Sequence, residues 1–357
     1  MATTSYKCPS CGAGIHYKPA YKKFKCDFCL SEYDEVELSN QRENIDETHA
    51  HEHTHEHTHE HRVDEDMGVL NSYHCKSCGA EVVTDETTTA TFCYYCHNPV
   101  IISNRLKGEF LPNKIIPFKI DNKRAKETFL NWVGRKKFVP DDFTSQSQLE
   151  KITGIYLPYW WVDYKADVDY VGEGRSIRVW RAGGREYTET KQYEIVRKGE
   201  IDINNVTELA FTKINKDLLN GIGPYDESEA IPFSKPYLSG FFAEQYDIGR
   251  EKIEPTIEEQ VNRYYKYLIN ESIQGYNNVK NIRNLIDLDV KSWNYTLLPA
   301  WILTYSYNGK TYVFAVNGQN GRSYGELPLS RKRMTSAFGM IFSVVFIVLL
   351  LGGMFIW

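Results

Sequence analysis

Residues 7–35 read KCPSCGAGIHYKPAYKKFKCDFCLSEYDE, and residues 75–96 read CKSCGAEVVTDETTTATFCYYC. In the first stretch Cys8, Cys11, Cys26 and Cys29 form C-x2-C-x14-C-x2-C, and in the second Cys75, Cys78, Cys93 and Cys96 repeat it at the same interval. Two residues between cysteines let a tight turn aim both sulfurs at one ion, with nearby amides able to donate to the thiolates. Two such knuckles complete a tetrahedron, and fourteen residues suffice for a short hairpin between them. Gly12 and Gly79 follow the leading knuckles, where a positive φ is often needed. The pattern predicts two zinc ribbons, and four thiolates leave no open coordination position, so each Zn2+ is expected to be structural. Iron in a rubredoxin-like site and a redox dithiol are the lesser alternatives.

All 8 cysteines are used in these clusters, which suits thiols kept reduced in a cytosol. The N-terminus MATTSYKCPSCG lacks the apolar core of a secretory signal. The 357 residues leave room for two or three domains, and a net charge of −5 gives no global attraction to nucleic acid or anionic lipid. His16, His74 and His97 lie beside cysteines that already fill both sites, so they read as bystanders.

Five segments are expected: a ribbon at 1–36, an acidic, His-rich, disordered linker at 37–70, a second ribbon at 71–104, an α+β domain at 105–330, and an apolar helix at 334–357. The linker is nearly devoid of large apolar side chains and cannot offset the entropy of ordering, so the first ribbon is expected to move independently. His49, His51, His53, His55, His57, His59 and His61 alternate there with Glu, Thr or Ala, a pattern that could hold zinc, nickel or copper weakly. The plainer reading is a low-complexity spacer. Lys18, Lys22, Lys23 and Lys25 interleave with Tyr17, Tyr21 and Phe24 in the first ribbon. That mixture suits anion or nucleic-acid contact, or an anionic membrane surface; a solvated lysine face is the plainer alternative.

The α+β domain reads as β-rich. Val162, Tyr164, Ala166, Val168 and Tyr170 alternate with Asp163, Lys165, Asp167 and Asp169, predicting a strand with one wet face. Gly183-Gly184 and Asn308-Gly309 predict two-residue hairpins. Helices are expected at 123–133 and at 255–270, the second starting near Pro255. Leu157-Pro158-Tyr159-Trp160 and Leu298-Pro299-Ala300-Trp301 each follow a helical pattern and open a strand-forming run, which raises an internal duplication.

Met334–Trp357 carries no charge across 24 positions and spans roughly 35 Å as a helix, enough for the hydrocarbon core of a bilayer. Arg331-Lys332-Arg333 precedes it, which predicts a single-pass tail anchor with the body kept in the cytoplasm. No P-loop, G-x-S-x-G or H-E-x-x-H occurs, no cysteine is left as a nucleophile, and no small-molecule substrate is evident. A non-enzymatic protein is expected.

The paired ribbons, acidic spacer, LPYW/LPAW domain and terminal anchor resemble the bacterial double-zinc-ribbon membrane proteins, the YdjG-like family. Its members are often labelled TFIIB-type zinc ribbon or primosomal helicase-like proteins, and the missing P-loop contradicts the helicase label. The resemblance implies a bacterial cytoplasmic-membrane protein, associated with envelope stress, that brings phage-shock-protein-A-like partners to the bilayer as an adaptor. The His-rich linker departs from the family pattern. A membrane-associated nucleic-acid-binding protein, resting on the first ribbon's lysines, and a metal-responsive factor using the histidines are the alternatives.

Overall fold

The computed structural model describes residues 3–39, 70–76 and 78–356. The linker histidines, and the disorder expected around them, lie outside the described residues. A short helical turn at 35–39, with Leu38 buried, shows that ordered chain continues past the expected end of the first ribbon.

Two compact units are built from interleaved parts of the chain rather than from successive segments. One comprises Met1–Leu157, Thr212–Gln245 and Leu297–Trp357; the other comprises Pro158–Phe211 and Tyr246–Thr296. Both cysteine modules belong to the first unit, and the region expected as one domain from 105 to 330 is divided between the two.

In the first unit, the second cysteine module supplies part of the main sheet. Thr88–Phe92 pairs antiparallel with Pro99–Ile102 on one side and with Phe242–Glu244 on the other. Thr3–Thr4 adds to Pro99–Ile102 at the margin, and Phe242 and Ala243 lie parallel to Ile155 and Tyr156. At the other end of this sheet the hairpin of Leu303–Tyr307 with Lys310 onward turns at Asn308 (φ 51°) and Gly309 (φ 75°), the left-handed pair its Asn-Gly sequence demands. An aromatic cluster fills the core. Phe118 stacks on Phe241 at 4.1 Å and meets Tyr156 and Trp301 edge-on at 5.0 and 5.2 Å. The Trp301 indole N–H donates to the Ile120 carbonyl at 2.8 Å. The helix Asn122–Gly134 starts where the Asp121 carboxylate accepts the Arg124 N–H at 2.8 Å, and it buries Ala125, Phe129 and Val133.

The first cysteine module forms its own three-stranded sheet of Ile15–Lys18, Lys23–Cys26 and Glu32–Tyr33. It is not independent. The Tyr17 N–H donates to the Ser239 carbonyl at 3.1 Å, and the Ser239 hydroxyl donates to the Ile15 carbonyl at 2.6 Å. The Tyr237 ring lies 5.1 Å from Tyr17 and 5.4 Å from Phe24. Linker composition governs only the linker; the module's own apolar face needs cover, and the segment around 237–239 provides it.

In the second unit, residues 159–182 and 185–209 form one antiparallel ribbon turning at Gly183 and Gly184 (φ 58° and 77°). The predicted alternation holds, with Val162, Tyr164, Ala166, Val168 and Tyr170 buried and the intervening charges at least partly exposed. The helix Arg250–Ser272 covers this face through Ile253, Ile257, Val261, Tyr265 and Ile269. It begins a turn before Pro255, because its apolar stripe already includes Ile253. Leu157–Trp160 and Leu298–Trp301 fall inside 30-residue strands, Thr153–Ala182 and Asn278–Tyr307, rather than at their starts.

Arg331–Ile356 is a continuous helix. The Ser330 N–H donates to the Phe138 carbonyl at 2.8 Å, and Arg333 pairs with Asp141 at its base. Within Arg331–Leu351 the most apolar 18-residue stretch has mean hydropathy 2.5 and none of it is buried, so the helix is long and apolar enough to cross a membrane.

Candidate metal centres

All four knuckles share one backbone design. The N–H of the leading cysteine donates to the carbonyl five residues on: Cys8 to Ala13 (2.6 Å), Cys26 to Ser31 (3.0 Å), Cys75 to Ala80 (2.8 Å) and Cys93 to Asn98 (2.9 Å). The N–H four residues on returns to the cysteine carbonyl, from Gly12, Leu30, Gly79 and His97, at 2.8–3.0 Å. Each of those four residues has positive φ, between 57° and 75°. The turn therefore demands a left-handed residue directly after every second cysteine. Glycine supplies it in the leading knuckles, while Leu30 and His97 adopt it despite a Cβ. His97 is thus a turn residue, which explains its place next to Cys96 without any ligand role.

The knuckles bring the sulfurs together as the spacing predicts. Cys8–Cys29 and Cys11–Cys26 Sγ atoms lie 3.4 and 3.5 Å apart; Cys75–Cys96 and Cys78–Cys93 lie 3.7 and 3.6 Å apart. Within each group all four sulfurs are within 4.8 Å of one another. A tetrahedral ion with metal–sulfur bonds of ~2.3 Å would separate its sulfurs by ~3.8 Å, so the donor sets fit a closed four-sulfur centre. In both modules the leading cysteine of each knuckle is buried and the second lies nearer solvent.

The electrostatics show what a cation would change at each centre. The Ser31 hydroxyl and amide beside Cys29 bring its thiol down to about 6. Cys11 moves the other way, to about 12: the Ala13 amide favours its thiolate, but desolvation and the neighbouring thiols of Cys26, Cys29 and Cys8 outweigh that help. Cys78 behaves like Cys11, reaching about 12 against the pull of the Ala80 amide. Without an ion some of these thiols keep their protons; a cation among the four sulfurs would let all of them ionise.

The lysines of the first module are mostly engaged. Lys18 pairs with Asp27 (3.0 Å), Lys23 with Asp34 (3.7 Å) and Lys25 with Glu32 (3.0 Å), while Lys22 occupies a left-handed turn position (φ 53°). Tyr17 and Phe24, candidates for stacking on bases, are buried; Tyr21 stays exposed beneath the Lys25 ammonium at 4.3 Å. What the spacing alone did not reveal is the exposure of the trailing knuckles. Phe28, between Cys26 and Cys29, is 86% exposed, and Tyr94 and Tyr95, between Cys93 and Cys96, are 72% and 75% exposed. Aromatic residues between cysteines were visible in the sequence, but which of the module's aromatics face water depends on its docking.

Interleaved α+β units, two four-sulfur centres held by one knuckle design and a terminal apolar helix define the class of this chain. It belongs to the YdjG family: it is 30% identical over 358 residues to YdjG of Bacillus subtilis (strain 168), across 98% of this chain and 99% of that protein. YdjG is itself described as an uncharacterized protein. No protein-family model and no solved structure matches the chain.

Proposed function

We propose that the protein is a non-enzymatic, membrane-tethered adaptor whose two modules are structural zinc ribbons. Soft, closed four-thiolate sets favour zinc and leave no coordination position for substrate. The helix Arg331–Ile356 would be ~39 Å long, sufficient to span the bilayer, and Arg331, Lys332 and Arg333 at its start favour a body on the cytoplasmic side. The repeated order of helix, 30-residue strand and tight hairpin around the LPYW and LPAW motifs supports an ancient duplication.

The observation that carries the adaptor reading is the pair of trailing knuckles that hold Phe28, Tyr94 and Tyr95 in water. Large aromatics fixed on rigid, metal-stapled turns are the kind of anchor protein interfaces use. Membrane-stress proteins of the phage-shock-protein-A type are the proposed partners. The test is affinity capture of the full chain from solubilised membranes, with and without Phe28→Ala, Tyr94→Ala and Tyr95→Ala together. The expected result is that such partners co-purify with the native chain and are lost from the variant, which keeps two zinc ions and its membrane fraction. Retention of the same partners by the variant, or capture of nucleic acid in their place, overturns the reading.

A further inference from the structure

In the second unit the long strands lie side by side, and the two that flank the central strand 159–182 are finished differently. One is 185–209. It carries Gly199 at φ 150° and Asn205 at φ 64°, and its pairing slips in register opposite Val162 and Tyr164. Irregularities of this kind bend a strand and spoil its free edge as a template for another chain. The other flanking strand begins at Asn278. Beside it the Asn277 N–H donates to the Arg175 carbonyl at 2.8 Å, and Arg283 pairs with Asp169 at 2.9 Å. Along 278–292 there is no glycine, no proline and no positive φ. At 300–307 this strand is covered by the hairpin partner that starts at Lys310, but along 278–292 its outer edge has no paired strand among the described residues. Ile282 and Leu285 stand 64% and 60% exposed on it.

The side chains of this regular, uncovered edge select its neighbour. Asn284 accepts the Tyr265 hydroxyl and Ile286 packs beneath the helix Arg250–Ser272, so Arg283, Leu285, Asp287 and Asp289 fall on the opposite face. Positive charge precedes Leu285 there and negative charge follows it. Asp287 and Asp289 have no ion-pair partner among the described residues, whereas Lys291 is taken by Asp202. A parallel strand of the same sequence, in register, would set Arg283 on Arg283 and Asp287 on Asp287. An antiparallel one centred on Leu285 sets Arg283 opposite Asp287 and leucine opposite leucine. Centring on Asn284 instead puts Arg283 opposite Leu285, and centring on Ile286 puts Leu285 opposite Asp287. Two-fold symmetry makes each favourable pair twice. Arg283 can serve both carboxylates: its Nη2 reaches Asp169, and the rest of its N–H fork stays available.

We propose that 282–288 is a self-association edge, at which two copies of the chain pair antiparallel about Leu285 and continue one sheet into the other. Backbone hydrogen bonds hold the pair, and the order of charges along the strand fixes its direction and register. The inference uses neither the exposed knuckle aromatics nor a metal, so it stands apart from the adaptor reading.

The test is the mass of the full chain in dodecylmaltoside by light scattering across a dilution series, with amide hydrogen exchange on the same samples. The native chain should have the protein mass of two copies, and the amides of 282–288 should exchange faster as it is diluted. Arg283→Asp, Asp287→Arg and Leu285→Lys each set like charges opposite one another and should raise the dissociation constant roughly tenfold or more. The last two leave every intrachain ion pair intact, and the first gives up only a half-exposed one, so all three should fold. Mixing Arg283→Asp with Asp287→Arg should restore dimers containing one chain of each, because both cross-strand pairs are then opposite in sign. A one-chain native mass, a dimer indifferent to the three substitutions, or a mixture that associates no better than its components would each overturn the inference. Slow exchange of 282–288 in a sample of one-chain mass would overturn it too, since something other than a second copy would then cover the edge.

Discussion

Single side chains decide how the second cysteine module joins the main sheet. Glu244 ends the strand that pairs with Thr88–Phe92, and its carboxyl group is largely buried there. Burial pushes its pKa up to about 7; the hydroxyls of Thr87 and Thr88 and the charge of Lys213 offset burial only in part, and Asp85 adds to the rise. Its Oε2 has no hydrogen-bond partner among the described residues. Asp85, which shares the Thr88 hydroxyl with Glu244, behaves oppositely: burial would raise it, but Lys213 at 2.8 Å and the hydroxyls of Thr88 and Thr87 hold it well below the usual carboxylate range. The consequence for stability has a definite sign. The unfolded chain releases the Glu244 proton near pH 4.3, whereas the folded chain keeps it until about pH 7, so the fold binds the extra proton in between. Stability must fall as pH rises through that window and then level off. Glu244→Gln removes the ionisation, so above pH 7.5 it should be more stable than the native chain by on the order of 2 kcal/mol, and the advantage should vanish near pH 4.5. Thermal unfolding of both proteins across pH 4.5–8 measures the difference; parallel curves would mean that water already reaches Glu244.

At the scale of elements, an aromatic contact helps dock the first module, beside the Ser239 hydrogen bonds and the pairing of Thr3–Thr4. Tyr237 sits against Tyr17 and Phe24, two rings from adjacent short strands. Tyr237→Ala should cost roughly 2–3 kcal/mol of docking free energy. Because the metal knuckles do not include Tyr237, the variant should keep its full metal content while protease cleavage between residues 18 and 33 accelerates. Unchanged cleavage would show that the Ser239 hydrogen bonds suffice to hold the module. The same contact marks the boundary of what the amino-acid sequence discloses. Knuckles are local: six residues and two backbone hydrogen bonds make each one, so Cys8 to Cys11 could be read directly. The hairpins at Gly183-Gly184 and Asn308-Gly309 are local too. Tyr237 and Tyr17 are 220 positions apart, and nothing near either residue names the other. Likewise the alternation from Val162 to Tyr170 reveals which face is buried but not that the helix Arg250–Ser272 covers it. Thr88–Phe92 carries a Thr run that reads as a ribbon hairpin, and its second partner, Phe242–Glu244, lies 150 residues downstream in an unremarkable stretch.

For the whole molecule, the two cysteine modules share one knuckle design but differ in strand pairing and in structural reach. The strands Ile15–Lys18 and Lys23–Cys26 form a separate small sheet, whereas Thr88–Phe92, which leads into Cys93, lies inside the main sheet between Pro99–Ile102 and Phe242–Glu244. Metal binding to such sites is coupled to folding, so the loss of an ion should unfold whatever its knuckles hold in register. Cys11→Ser and Cys78→Ser remove one sulfur each, from the outer positions of leading knuckles that are otherwise alike. Each variant should fall from two metal ions per chain to one. Beyond that the two should part. Loss of the first centre should expose residues 8–33 to exchange with deuterated water and leave the sheet strands at 242–244 and 153–157 protected. Loss of the second should release Thr88–Phe92, deprive Phe242–Glu244 of a neighbour, and carry the loss of protection into the sheet. It should also lower the melting temperature by several degrees more than loss of the first. Hydrogen exchange read strand by strand, with metal content measured on the same samples, decides the matter. If both variants lose protection over equal lengths of chain, the second module's strand pairing is not what ties its metal to the core.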